Sequence, residues 1–167
     1  MSRPTGPPVS GTKCEPSLVP ILAQAEPCGH GRVHDKKESY VSIRKMIALH
    51  PKDDKNQALA DAVHHLMYCA KMSLSCADAC MAEPMDMAQC IRLCLDCSDI
   101  CEATARLGAR RTGDDQPMLR ELLEVCARMC EQCAAECERH DHEHCRLCAQ
   151  ICRECADDCR KAAASLS

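Results

Sequence analysis

Cysteine recurs along this chain at intervals of three and four residues. Cys90, Cys94, Cys97 and Cys101 are spaced by 4, 3 and 4, and Cys126, Cys130, Cys133 and Cys137 repeat those steps. Cys145, Cys148, Cys152, Cys155 and Cys159 continue with 3, 4, 3 and 4. A sparser set, Cys69, Cys76 and Cys80, keeps the same phase, with Ser73 at the position where another cysteine would fall. On a helix of 3.6 residues per turn, alternating steps of three and four return to one face, the a/d seam of a helix bundle. Leucine normally occupies that seam. Here thiols do, and inward-facing thiols at such density can bind soft metal ions.

The composition agrees. Eighteen of 167 residues are cysteine, while Leu, Ile and Val total 26, Tyr contributes two, and Phe and Trp are absent. The branched and aromatic apolar fraction is thus near 17 per cent, below the roughly 20 per cent that marks a conventional packed core. The net charge is only −4, so the chain lacks the self-repulsion of a typical disordered protein. Sixteen seam thiols would make a poor hydrocarbon core on their own. Cysteines on one helical face pair badly within their own helix, which argues against a disulfide framework. The ferredoxin cysteine run is absent, and an even seam replaces its local cluster.

The thiols need four helices to carry them. Residues 1–35 hold six of nine prolines and four of six glycines, the composition of a disordered leader. A short amphipathic helix is expected within residues 36–51, carried by Val41, Ile43, Met46, Ile47 and Leu49 and closed by Pro51. Residues 52–167 then form the metal-binding domain. Its first long helix starts at Asp53–Asp54 and ends before Pro84, and its second runs from about Asp86 to Arg111. The third begins near Asp114–Pro117 and reaches Arg139, and the last begins within His140–His144 and frays at Ala162–Ser167. Short connections make neighbours antiparallel, so the expected fold is all-α, an antiparallel four-helix bundle with a cysteine-lined core, preceded by a short extra N-terminal helix.

Antiparallel order gathers Cys80, Cys90, Cys137 and Cys145 at one end. Continuing the seams outward brings Met87, His140 and the His142–His144 segment to that end, with Met81 and Met85 in the adjoining loop. Thioether and imidazole bind a soft metal ion more weakly than bridging thiolate and suit a capture role, so Met87, His140 and His144 join the cysteines as candidate ligands. The opposite end carries Leu59, Ala62, Leu66, Thr104, Leu107, Leu119, Leu123 and Ala162, a hydrocarbon plug. His64 and His65 near it read as surface residues, and Met67, Met72 and Met129 as fillers of packing gaps. Cys14 and Cys28 fall in the leader and read as uninvolved.

Two metals compete for the seam. Zinc takes four thiolates per ion, and each closed site carries a net charge near −2 that no seam Lys or Arg offsets. Cu(I) accepts two or three thiolates, and bridging sulfurs allow roughly one ion per cysteine and a near-neutral content. Many Cu(I) ions per chain are therefore expected, on the order of 16.

The seam Cys69/Cys76/Cys80, Cys90/Cys94/Cys97/Cys101, Cys126/Cys130/Cys133/Cys137 and Cys145/Cys148/Cys152/Cys155/Cys159 resembles that of the bacterial copper storage proteins, above all the cytosolic members, over residues 53–165. The resemblance implies a homotetramer of four-helix bundles that stores or detoxifies Cu(I) without catalysis, with His and Met residues at the bundle mouth. Ser73 and the Pro-rich leader depart from the family pattern.

Rival functions remain in view: a zinc–thiolate structural protein, a copper chaperone, or a thiol oxidoreductase. A chaperone needs one exposed two-cysteine site, and a redox pair wants an exposed low-pKa thiol at a helix start, whereas Cys94 and Cys97 lie mid-helix. The acidic balance and lack of stacking aromatics give no nucleic-acid surface. No apolar run approaches the roughly 18 residues of a membrane span. Ser17–Ala25, broken by Pro20, is too short an apolar stretch for a signal core. A cytoplasmic protein is expected, where thiols stay reduced unless metal holds them.

Overall fold

The computed structural model describes residues 41–51, 56–110 and 115–166. Five helices account for its secondary structure: α1 (Ile43–Ala48), α2 (Gln57–Met81), α3 (Ala88–Gly108), α4 (Gln116–Cys137) and α5 (Glu143–Ser165). The four long ones close a ring in which α2 packs on α3 and α5, and α4 packs on the same two, while α1 lies against α2. This is the expected antiparallel bundle. The leader at 1–35, with Cys14 and Cys28, lies outside the described residues.

Local chemistry sets the helix ends. The Asn56 side chain accepts a hydrogen bond from the Leu59 amide at 2.9 Å and so caps α2, and its own amide donates to Ser165 Oγ at 2.9 Å, joining the start of α2 to the end of α5. The helix start expected at Asp53–Asp54 is therefore displaced to Gln57, because the capping side chain that packs is Asn56; the two aspartates themselves lie outside the described residues. Asp86 stays outside α3, accepting from the Ala88 amide at 3.0 Å, and α3 stops at Gly108 rather than Arg111. Pro117 sits in the first turn of α4, where its missing N–H costs nothing. The N-terminal helix is only six residues long, capped by Ser42, and of its apolar side chains Ile47 alone is buried while Val41, Met46 and Leu49 are exposed.

A second periodicity explains how the thiols meet. Alanine follows the seam cysteine in Cys69–Ala70, Cys76–Ala77, Cys126–Ala127, Cys133–Ala134, Cys148–Ala149 and Cys155–Ala156, and all twelve residues are buried. On α2, α4 and α5 a methyl group beside these thiols lets the helices approach closely, whereas on α3 no alanine follows a seam cysteine. At the far end Leu59, Val63, Leu66, Leu123 and Thr104 are fully buried and Leu119 is nearly so, the expected plug. Leu107 only packs against its edge. Gly108 is buried where α3 meets α2; a Cβ there would lie 2.7 Å from Val63 Cγ2, so glycine is required by the close approach.

Candidate metal centre

All sixteen described cysteines are free thiols and all are buried. Four helical stripes meeting on one axis turn a one-dimensional spacing into a column of sulfur. At the end that carries His144, Cys80 Sγ lies 3.7 Å from Cys90 and 4.0 Å from Cys145, and Cys90 lies 3.8 Å from Cys137. Cys94 then bridges to Cys137 at 3.7 Å, to Cys133 at 3.8 Å and to Cys148 at 3.9 Å. Deeper, Cys69 meets Cys152 at 3.6 Å and Cys97 and Cys130 at 3.9 Å. At the inner end Cys101 lies 3.5 Å from Cys130 and 3.6 Å from Cys126. A metal–sulfur bond of about 2.3 Å places two thiolates about 4.0 Å apart around a three-coordinate ion. The sulfurs stand within a few tenths of an ångström of that separation before any ion enters.

The possible ligand sets overlap. Cys69, Cys101, Cys130 and Cys155 form one close group; Cys76, Cys94, Cys137 and Cys148 form another; Cys76, Cys80, Cys145 and His144 form a third. Triads of Cys69, Cys97 and Cys152, and of Cys133, Cys148 and Cys152, share members with these and with each other. A mononuclear structural zinc site takes four ligands of its own. Shared sulfurs are what a bridged Cu(I)–thiolate cluster uses.

Hydrogen bonding poises the array. Cys97 is held well below the ordinary thiol range, first by a sulfur hydrogen bond from Cys101, and Cys148 likewise, first by Cys133. Toward the end that carries His144 burial dominates. It raises the Cys90 thiol, with the charges of Cys137 and Cys94 adding to the effect, and pushes Cys145 up to about 12, with Cys80 and Cys137 adding.

At that end His144 reaches the thiols. Its Nδ1 lies 3.4 Å from Cys145 Sγ, 3.5 Å from Cys76 and 4.0 Å from Cys80. His142, the N-cap of α5, stacks on His144 with ring centroids 5.3 Å apart. Met87 is buried at the head of α3, in the same cluster as Cys90, whereas Met81 and Met85 are exposed. His140 is turned to Glu136, with Nε2 at 3.2 Å from a carboxylate that is itself buried. Of the sequence candidates, then, the sixteen cysteines and His144 come together, Met87 is buried at the head of α3, and His140 is hydrogen-bonded to Glu136.

Sequence reasoning missed the carboxylates. Glu83 and Glu136 hold His144, His142 and His140. Glu136 could have been found from its place four residues before His140, on the same helical face. The pairing of Glu83 with the histidines at α5 is a long-range contact with no local signal. His65, expected on the surface, is half-buried with Nδ1 2.6 Å from Asp158, and Met67, expected to fill a gap, is exposed.

A helical bundle with a continuous column of reduced, mutually bridging thiols defines a container for soft metal ions. Comparison with known proteins narrows the class. The family model for copper storage proteins matches residues 55–164, and the chain belongs to that family. The copper storage protein Ccsp of Streptomyces lividans, solved loaded with 10 copper equivalents, is 39% identical with a TM-score of 0.71, covering 75% of this chain and 100% of that one. A structure of the cytosolic Streptomyces protein with five coppers is 42% identical with a TM-score of 0.65, covering 67% and 97%. The Cu(I)-bound copper storage protein of Bacillus subtilis is 33% identical with a TM-score of 0.58, covering 64% and 98%. A curated cysteine-rich protein of B. subtilis, YhjQ, described as uncharacterized, is 39% identical over 83 residues; the match spans 50% of this chain and about half, 54%, of that protein.

Proposed function

We propose that this chain is a high-capacity Cu(I) store, in which bridged thiolate clusters fill the bundle core and limit free copper. The overlap of the ligand sets carries the reading, since Cys69, Cys76, Cys148 and Cys152 each belong to more than one set. The copper-loaded structures of the related proteins support it. The ligands are Cys69, Cys76, Cys80, Cys90, Cys94, Cys97, Cys101, Cys126, Cys130, Cys133, Cys137, Cys145, Cys148, Cys152, Cys155 and Cys159, with Met87, His140 and His144 receiving ions at the open end. Each entering ion displaces thiol protons, so affinity rises with pH. The role is binding, without catalysis.

A cytoplasmic location belongs to the same reading, supported by the description of the Streptomyces relative as cytosolic; no helix among the described residues is long and apolar enough to cross a membrane. So does a homotetramer. It is supported by a groove between α2 and α5 lined by Tyr68, Met72, Leu147 and Ile151 together with Gln150 and Glu154, and sedimentation equilibrium tests it.

Anaerobic titration of the reduced, metal-free protein with Cu(I) tests the store. Thiolate-to-copper charge transfer should rise to a plateau on the order of 16 ions per chain. A plateau at one or two ions would overturn storage in favour of a chaperone, and a preference for about four zinc ions would overturn it in favour of a zinc–thiolate protein.

A further inference from the structure

Ser73 is fully buried on the thiol axis. Its Oγ accepts a hydrogen bond from Cys148 Sγ at 3.8 Å and lies 3.8 Å from Cys152 and 3.9 Å from Cys69. On one side of it stands the four-thiol group of Cys76, Cys94, Cys137 and Cys148, and on the other the four-thiol group of Cys69, Cys101, Cys130 and Cys155. Between them lie two groups of three thiols, Cys133, Cys148 and Cys152, and Cys69, Cys97 and Cys152. Where the seam of helix α2 would supply a further sulfur, Ser73 supplies an alcohol.

The substitution changes what that level can do. A hydroxyl keeps its proton where a thiol gives it up, and its oxygen is a hard donor that Cu(I) binds poorly. It cannot bridge two copper ions. The hydroxyl still donates one hydrogen bond, to Cys152 or Cys69, which leaves that thiolate less able to bridge. An ion moving inward by exchange between neighbouring sulfurs therefore meets one level with a partner missing on the α2 side.

We infer that Ser73 divides the copper store into an outer compartment that exchanges with the mouth and an inner compartment, closed by the leucine plug, that fills and empties more slowly. This rests on the storage reading and adds an order of loading to it. The outer compartment would set the response to a brief rise in copper, and the inner one would hold a reserve.

Stopped-flow mixing of the reduced full-length chain with Cu(I), supplied as its acetonitrile complex, tests the division through charge-transfer absorbance, with native mass spectrometry at half loading. Wild type should take up copper in two phases differing by about tenfold or more in rate, the factor that one modest extra barrier produces, and should accumulate a half-filled species. Ser73→Cys should speed the slow phase about tenfold and spread the half-filled species into a smooth distribution. Ser73→Ala should keep both phases, since the missing sulfur and not the hydroxyl makes the break. Cys133→Ser, which removes a second sulfur at the same level, should slow the inner phase further. Single-phase filling of wild type, or an inner phase unmoved in both Ser73→Cys and Cys133→Ser, would overturn the division while leaving storage intact. Uptake of only one or two ions would instead remove the storage reading itself.

Discussion

The His144 imidazole lies between the thiol column and the Glu83 carboxylate: Nε2 donates to Glu83 Oε1 at 3.2 Å, which leaves the Nδ1 lone pair facing Cys145, Cys76 and Cys80. A carboxylate behind a histidine fixes both its tautomer and its orientation, and such partners typically matter by 10–100-fold in metal affinity. Glu83 also accepts from His142 at 3.2 Å, so one carboxylate orders two stacked rings at the mouth.

Glu83→Ala should therefore slow the first phase of Cu(I) uptake by about tenfold. Total capacity should not change, because Glu83 touches no thiol of the column's interior. Initial rates by stopped flow, set beside the titration plateau, separate the two effects. An equal loss of rate and capacity would mean that Glu83 supports the fold and not the entry.

The two candidate histidines should not be equivalent. His144 faces three sulfurs, while His140 is held on Glu136. His144→Ala should lower the uptake rate several-fold more than His140→Ala. The same kinetic assay decides it, and a larger effect at His140 would mean that the ring leaves Glu136 to meet the incoming ion.

The metal-free bundle should lose stability in alkali. A thiol in the unfolded chain ionises near about 8.5. Burial holds Cys145 up to about 12 in the folded chain and raises Cys90 as well. Between those values the unfolded chain binds fewer protons than the folded one, so stability falls as pH rises. The full contribution of these thiols is present below about pH 8.5 and is lost as pH climbs through 12. Thermal melts at pH 7.5 and pH 10 should show a lower Tm for the apo protein at the higher pH. The copper-loaded protein should show little change, because its thiolates are already neutralised by Cu(I). A melting temperature of the apo protein that is flat with pH would contradict the buried-thiol argument.

How much of this was legible in the sequence depends on the range of the interaction. Steps of three and four placed Cys90 through Cys101 and Cys126 through Cys137 on one face each, and phase continuity alone located the plug at Leu59, Leu66 and Leu123. Those are properties of a single helix repeated four times. Helix ends were less legible, because Asp53, Asp54 and Asn56 are all competent caps and the choice fell to the residue that also meets Ser165. Which histidine of the run from His140 to His144 would face the thiols was hidden for a related reason. It turns on α5 beginning at Glu143 with His142 as its cap, a shift of one residue that rotates each ring by about 100° on a helix of 3.6 residues per turn. The Glu83 pairing had no local trace at all.

The closed end should prove separable from the metal chemistry. Leu123 is fully buried in the plug among Leu59, Leu66 and Val63, away from the open end. Leu123→Ala removes buried hydrocarbon and leaves a cavity, at a cost of about 2–5 kcal/mol. Gly108→Ala should cost about 1–3 kcal/mol for the opposite reason, since its new methyl group would stand 2.7 Å from Val63 Cγ2 and force α2 and α3 apart. Both losses fall on the apo protein, whose thiol core contributes little hydrocarbon burial of its own, and urea unfolding of the reduced chain would measure them. Copper binds the folded bundle and links its four helices, so mass action should restore much of the stability on loading. The Cu(I) plateau of both variants should match wild type, because neither residue carries a sulfur. A plateau reduced in proportion to the lost stability would show that the plug sets the spacing of the thiol layers above it, and that the two ends of the bundle are mechanically one.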